Sequence, residues 1–242
     1  MTHDPPPDRT GPLTILFDID GTLISTGGAG ARSWRWAFDT LYGVQADIGA
    51  FSEAGMTDPQ VARGTFRGAV GREPRDREIA RVLAAYLERL PYEVETSAHY
   101  RVLPGAEHLL CRLSRDGCLL GVVTGALEAA AHIKLARGRL NGFFAFGGYG
   151  SDSADRGQLT QRAIERASAI VGREIDAASV FVVGDTPNDI DAAHAVGAVA
   201  IGVASGNFPV GQLRSAGADV AIESLEDPIP GLEWAASDEA TP

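Results

Sequence analysis

The chain has 242 residues, of which 45% are hydrophobic, and this content is ample for a buried core and too high for a disordered protein. Acidic residues outnumber basic residues by 32 to 21, which gives a formal net charge of −11. This charge argues against general binding to nucleic acids or anionic membranes, although a cation held inside one site could still attract a small anionic substrate.

The first predicted element is a buried strand that runs directly into two acidic residues. The stretch from Leu13 to Phe17 is largely apolar, as is typical of a strand covered on both faces. Asp18 and Asp20 follow, at the carboxyl end of the strand, where ligands bind in open α/β sheets. Two carboxylates this close repel each other, so a bound cation or a shared proton is expected. In the simpler alternative, one Asp caps a turn, the other faces water, and Gly21 supplies an unusual backbone angle.

A helical block follows the glycine-rich segment from Gly27 to Gly30, which suits a hinge. A nucleotide-binding loop is disfavoured there, because the chain has neither Gly-Lys-Ser/Thr nor a complete G-x-G-x-x-G. Apolar residues recur at helical spacing from Trp34 to Tyr42 and again from Val82 to Leu90. Between these two series, Thr57 or Asp58 is expected to cap a helix, and a turn with substrate-facing side chains is the alternative.

The remaining chain alternates helices and strands. Strands are predicted over residues 119–123, 179–183, 199–203 and 219–222, helices over 106–115, 127–137, 160–171 and 190–196, and a glycine-rich turn region over 147–157. This alternation predicts an α/β fold with a doubly wound parallel sheet, and the helical block becomes an insertion above the strand ends.

The predicted domain organisation has four parts. They are a flexible leader over residues 1–12, an α/β core over 13–26 and 101–228, a helical insertion over 27–100, and a loose tail over 229–242. Cys111 and Cys118 match no metal-ligand spacing, and neither a membrane-spanning stretch nor a signal-type N-terminus is apparent. We therefore expect a cytoplasmic protein.

Three predicted strands end in small polar or acidic residues. These are Asp18 with Asp20, Thr124, and Asp185 with Asp189. Because the carboxyl ends of parallel strands lie along one edge of a sheet, these groups can converge. Oxygen ligands of this kind suit Mg²⁺, and a carboxylate can also act as a nucleophile in phosphoryl transfer.

These motifs resemble the signatures of the haloacid dehalogenase-like hydrolase superfamily. The matching stretches are Asp18-Ile19-Asp20-Gly21-Thr22, the strand that ends in Thr124, and Gly184-Asp185-Thr186-Pro187-Asn188-Asp189. Their order and spacing match between Leu13 and Asp227, and the nearest resemblance is to the phosphoglycolate phosphatase-like branch, which carries a helical cap. The resemblance implies a Rossmann-like core, and it identifies the helical insertion as that cap.

The resemblance also implies a role for each residue. Asp18 would be the nucleophile and a ligand of Mg²⁺, and Asp20 would be the general acid and base, with its backbone carbonyl reaching the metal. Thr124 and the amide of Gly125 would hold the phosphoryl oxygens. Asp185 would bind the metal, while Asp189, Gly21 and Thr22 would support the acidic loops.

The cation that neutralises the phosphate departs from the family pattern. A Lys-Pro pair is usual there, whereas this chain has Asp155-Arg156-Gly157. We favour Arg156, since a guanidinium matches phosphate geometry, and Lys134 is the rival.

Together these observations predict a Mg²⁺-dependent phosphatase that hydrolyses a small phosphate monoester through an aspartyl-phosphate. As the resemblance implies, the second acid, Asp20, favours phosphate esters over carbon–halogen bonds. A phosphomutase acting on a sugar phosphate is the alternative, and a non-catalytic phosphate-binding regulator is the third reading. The expected partner is a small phosphorylated metabolite, with no nucleic acid and no membrane, and the motifs specify neither its identity nor the oligomeric state.

Overall fold

The computed structural model describes residues 12–51, 55–230 and 232. Its strands are β1 (Thr14–Phe17), β2 (Ile24–Ser25), β3 (Arg101–Val102), β4 (Leu119–Thr124), β5 (Phe146–Tyr149), β6 (Val180–Gly184), β7 (Val199–Val203) and β8 (Val220–Ile222). Six of them form one parallel sheet in the order β5-β4-β1-β6-β7-β8. The predicted fold class is confirmed.

Helices cover both faces of this sheet. The α-helices of the described residues are α1 (Ala29–Tyr42), α2 (Asp58–Val70), α3 (Asp76–Thr96), α4 (Ala106–Arg115), α5 (Glu128–Arg137), α6 (Arg156–Val171), α7 (Pro187–Ala195) and α8 (Val210–Ser215), and the first three belong to the helical block and not to the layers on the sheet. Successive side chains of β1 enter different cores: Ile15 joins a cluster with Leu109, whereas Leu16 joins one with Leu159. Both faces of β1 are therefore buried, which explains its apolar sequence. None of the helices in the described ranges combines the length and apolarity needed to cross a membrane.

Helices α1 to α3 lie between β2 and β3 in the chain. These two short strands pair antiparallel, with Ile24 opposite Val102, so the chain leaves and re-enters the sheet domain side by side. Trp34 of α1 stacks on Tyr86 of α3, with ring centroids 4.1 Å apart. The predicted boundaries at residues 27 and 100 fall next to this ribbon.

The glycine-rich turn predicted over 147–157 is wrong in its first part, since residues 146–149 form the buried edge strand β5. The glycine content of this stretch argued against a strand, but Gly148 is needed where a helix packs closely on the strand. A side chain at Gly148 would overlap the backbone carbonyl of Leu159, so its absence lets α6 lie directly against the sheet.

Two helices begin earlier than predicted, because polar side chains cap them. The Asp155 carboxylate accepts a hydrogen bond from the Gln158 amide at 3.0 Å, and α6 starts at Arg156 instead of residue 160. Thr186 caps α7, which starts at Pro187 instead of residue 190. The short elements α8, β2 and β3 were not predicted, since they contain too few residues to show a periodic pattern.

The tail predicted to be loose from residue 229 begins inside the core. Ile229 is 2% exposed and Leu232 is 1% exposed, and both belong to the larger hydrophobic cluster. Residues 1–11, 231 and 233–242 of the predicted leader and tail lie outside the described residues.

Candidate active site

The carboxyl ends of β4, β1 and β6 bring polar side chains to one edge of the sheet. Thr124 ends β4, Asp18 follows β1 and Asp185 follows β6, and all three are buried. Because β1 pairs in parallel with both β4 and β6, these residues are neighbours.

Three carboxylates form a compact cluster at this edge. One oxygen each from Asp18, Asp185 and Asp189 lies within 4.8 Å of the other two, and all three residues are buried. Asp189 is held by the cap of α7, since its Oδ2 accepts hydrogen bonds from the Thr186 amide at 3.0 Å and the Thr186 hydroxyl at 2.7 Å. The side chain of Asp20 is outside this cluster, and the expected contact of its backbone carbonyl with a metal stays a prediction.

The Asp185 carboxylate is enclosed by two loops. The Thr22 hydroxyl donates a hydrogen bond to its Oδ1 at 3.2 Å, and a side chain at either Gly21 or Gly206 would overlap the carboxylate. The Ser205 hydroxyl joins the two loops by donating to the Gly21 carbonyl at 2.7 Å.

Ser205 and Gly206 were missed by the sequence analysis. They follow β7 as a small polar residue and a glycine, which is the same pattern as Thr124-Gly125 after β4. That pattern was the available signal, but Ser205 lies two residues beyond the end of its strand, whereas Thr124 is the last residue of β4.

Arg156, the first residue of α6, points into the acidic cluster. Its guanidinium forms a close ion pair with Asp189, and its Nη2 lies 3.6 Å from Oδ1 of Asp18. Nη1 donates to the Gly55 carbonyl at 3.3 Å, and the buried Nε has no hydrogen-bond partner among the described residues. The guanidinium therefore lies beside the predicted nucleophile and keeps a donor to spare.

Lys134, the rival cation, contacts a different acid. Its Nζ lies 2.5 Å from Oδ2 of Asp20, and the lysine side chain is only 8% exposed. Burial alone would lower the pKa of Lys134, but its neighbours, chiefly the Asp20 carboxylate and then Tyr86 and Asp58, raise it above its usual value. The ammonium group therefore stays charged.

Helix α2 is attached to the loop after β4. Its start is capped as expected, with the Thr57 amide donating to the Gln60 side chain at 2.9 Å. Asp58 then makes two contacts across to the sheet domain: its amide donates to the Gly125 carbonyl at 2.8 Å, and its Oδ2 accepts from the Leu127 amide at 2.8 Å. Asp58 is thus a docking residue between the helical block and the sheet domain.

A cavity of about 470 Å³ lies over the acidic cluster. Core residues that line it include Asp18, Asp20 and Thr124, and the helical block and its ribbon contribute Met56 and Arg101. A volume of this size suits a small polar molecule.

The buried acids favour a bound cation. Burial raises the pKa of the Asp18 carboxyl well above its usual value, with Asp189 adding to the effect and Arg156 opposing it. Burial and Asp189 also raise the pKa of Asp185 to about 7, although the Thr22 hydrogen bond acts in the other direction. A cation between these oxygens would replace lost solvation and reduce the repulsion. The oxygen-only cluster is therefore suited to a hard divalent metal ion.

Comparisons with known proteins agree with this geometry. A family model described as haloacid dehalogenase-like hydrolase matches residues 13–197. The chain is 25% identical to the "Probable phosphatase IndB" of Dickeya dadantii over 226 residues, covering 89% of this chain and 91% of that protein. It is also 25% identical to the phosphoglycolate phosphatase of Salmonella choleraesuis, covering 93% and 94%. A solved structure of β-phosphoglucomutase from Clostridium difficile has the same fold, with a TM-score of 0.71, 16% identity and coverage of 93% and 97%.

Proposed function

Because the chain belongs to the haloacid dehalogenase-like hydrolase family, whose model matches residues 13–197, we propose that it is a Mg²⁺-dependent phosphatase acting on small phosphate monoesters. The observation that carries the proposal is the cluster of Asp18, Asp185 and Asp189, which lies under a cavity with Asp20 at its side. This arrangement would supply a metal site, a nucleophile and a separate proton donor.

Asp18, Asp185 and the backbone carbonyl of Asp20 would hold Mg²⁺, and Asp189 would orient the loop through its contacts with Thr186. When bound, the ion neutralises negative charge on the phosphate and so allows an anionic nucleophile to approach it.

The reaction has two halves. A carboxylate oxygen of Asp18 forms a bond to phosphorus as the bond to the leaving oxygen breaks, and Asp20 gives its proton to that oxygen. Asp20 then accepts a proton from water, whose oxygen attacks the phosphorus of the aspartyl-phosphate. Inorganic phosphate leaves, and the Asp18 carboxylate is regenerated.

Thr124, the Gly125 amide and Arg156 would hold the oxygens of the transferring group. Arg156 is suited to this role because its side chain is only 11% exposed and its Nη2 already lies 3.6 Å from Oδ1 of Asp18. Fixed donors directed at developing charge are the main source of catalysis in phosphoryl transfer.

The named relatives suggest a substrate class without fixing a substrate. The phosphoglycolate phosphatase and the probable phosphatase both match nearly the whole chain, and we infer a small phosphorylated metabolite for this protein. A phosphomutase would share the first half-reaction, and the likeness to β-phosphoglucomutase concerns the fold alone. A cytoplasmic location stays a prediction.

The test is release of inorganic phosphate from p-nitrophenyl phosphate and from a panel including phosphoglycolate and hexose phosphates. We expect turnover with Mg²⁺, none in excess EDTA, and none for Asp18→Asn, which removes the anionic nucleophile but nearly preserves shape. Asp191→Asn is the matched control, because Asp191 is an exposed carboxylate on the same helix as Asp189. Full activity in EDTA, or in Asp18→Asn, would refute the proposal, and rearranged sugar phosphate without free phosphate would indicate a mutase.

A further inference from the structure

Lys134 is the only lysine in the chain, since the other 20 of its 21 basic Lys and Arg residues are arginines. Its side chain is 8% exposed and lines the cavity above the acidic cluster. Burying an ammonium group is costly unless it is paired, so its partner identifies its role.

That partner is Asp20. The lysine Nζ lies 2.5 Å from Oδ2 of Asp20, and this is the only side-chain hydrogen bond that Asp20 makes within the described residues. The Asp20 side chain is otherwise 43% exposed, so the ion pair with Lys134 is the polar side-chain contact that fixes its orientation within the described residues. Its Oδ1 takes no part in the ion pair with Lys134.

Residues of the helical block also lie near the lysine. Asp58 lines the same cavity as Lys134, and both Asp58 and Tyr86 raise the pKa of the lysine. Asp58 is itself fixed by the Leu127 amide at 2.8 Å, and Tyr86 is stacked on Trp34. Lys134 therefore lies close to the docked helices and is paired with Asp20.

The two buried cations of the cavity serve different acids. Arg156 is paired with Asp189 and approaches Asp18, whereas Lys134 is paired with Asp20. The structure thus separates a cation beside the proposed nucleophile from a cation beside the proposed proton donor.

We propose that Lys134 is a positioning residue that holds the Asp20 carboxylate for proton transfer to the leaving group. This inference rests on the proposed phosphatase function. Lys134 acts through Asp20, and it does not bind the transferring phosphate. Proton transfer depends on the alignment of donor and acceptor, so losing the lysine should matter most when the leaving group needs a proton.

The kinetic test compares Lys134→Met with Arg156→Met, which also replaces a buried cation by an unbranched apolar side chain. For an alkyl phosphate, Lys134→Met should lower kcat by about 10²-fold, the low end of general acid–base catalysis. For p-nitrophenyl phosphate, whose leaving group needs little protonation, the loss should be under about threefold, and inhibition by inorganic phosphate should be unchanged. Arg156→Met should lose activity on both esters and bind phosphate more weakly. Equal losses of Lys134→Met on both esters, or weaker phosphate binding, would overturn the proposal.

A double-mutant cycle tests whether the lysine acts through Asp20. In an Asp20→Asn background, Lys134→Met should add less than about a twofold loss on the alkyl ester, because the group it positions is already absent. Lys134→Arg should recover part of the alkyl-ester rate. A full additional loss in the double variant would place Lys134 outside the Asp20 pathway.

An NMR experiment tests the contact between Lys134 and Asp20 without measuring turnover. Since the chain has one lysine, labelling with ¹³C,¹⁵N-lysine gives a single side-chain Nζ signal in the NMR spectrum. Asp20→Asn should shift this signal strongly, and Asp191→Asn should leave it in place. An unmoved signal in Asp20→Asn would refute the contact, whereas a shifted signal in a protein that hydrolyses no ester would count against the proposed function alone.

Discussion

The metal-free protein is expected to become more stable as the pH falls, through Asp185. Burial and the Asp189 carboxylate raise the pKa of Asp185 from 3.8 to about 7 in the folded chain. The folded state therefore binds this proton more tightly than the unfolded state. The stability that the protonated Asp185 contributes is lost as the pH rises from about 4 through about 7. The raised pKa of Asp18 acts in the same direction.

The size of the effect follows from the shift. Between about pH 7.5 and about pH 5.5, the protonation equilibrium of Asp185 alone changes the free energy of unfolding by about 2 kcal/mol. In a chain of this length that corresponds to about 4–8 °C in Tm. Asp185→Asn removes the titrating group, so the variant should not gain this free energy of unfolding as the pH falls. Without metal, the variant should also be more stable than the wild type at about pH 7.5.

The assay is thermal or urea unfolding in EDTA at both pH values, with Asp191→Asn as the control that keeps the wild-type pH dependence. Adding Mg²⁺ at about 100 times its Kd should stabilise the wild type by about 2.7 kcal/mol and Asp185→Asn by much less. Parallel pH dependence in the wild type and Asp185→Asn would refute the reasoning, because every other group is common to both proteins.

Two further predictions concern the rim of the cavity. Arg156→Ala should lower turnover of p-nitrophenyl phosphate by about 10²–10³-fold, the usual cost of losing one fixed donor. Arg156→Lys should recover part of this turnover. Near-normal turnover in Arg156→Ala would show that this arginine does not bind the phosphate. Met56 lines the cavity from the helical block, and Met56→Ala should shift the ratio of kcat/KM between two phosphate esters of different size by about tenfold. The ratio is measured on both esters, and an unchanged ratio would place size selection elsewhere.

The fold and the acidic motifs could be predicted because they depend on local patterns and on topology. An apolar stretch such as the one from Leu13 to Phe17 indicates a strand buried on both faces, and β1 is buried throughout. Once the strands are parallel, residues such as Asp18 and Asp185 must share one edge. The family assignment, which is confirmed, used the same residues.

Long-range backbone contacts could not be predicted in this way. The carbonyl of Leu159 explains why β5 contains Gly148, but that contact joins a helix and a strand whose separation is set by tertiary packing. The docking of Asp58 on the Leu127 amide joins residues 69 positions apart. From the sequence, Asp58 was equally suited to capping its own helix.

The choice between the two cations depended on helix orientation, which the sequence does not specify by itself. Helix α5 follows a parallel strand, so its amino end lies near the carboxyl edge of the sheet, and helical side chains lean towards the amino end. The buried face of α5 contains Ala130 and Ala131, whose small side chains leave room for Lys134 to extend back along the helix. Arg156, at the first position of α6, needs no such path to reach Asp18 and Asp189. A lysine on the buried face of a helix can therefore extend past two alanines to the active-site edge of the sheet. Here its ammonium group contacts Asp20.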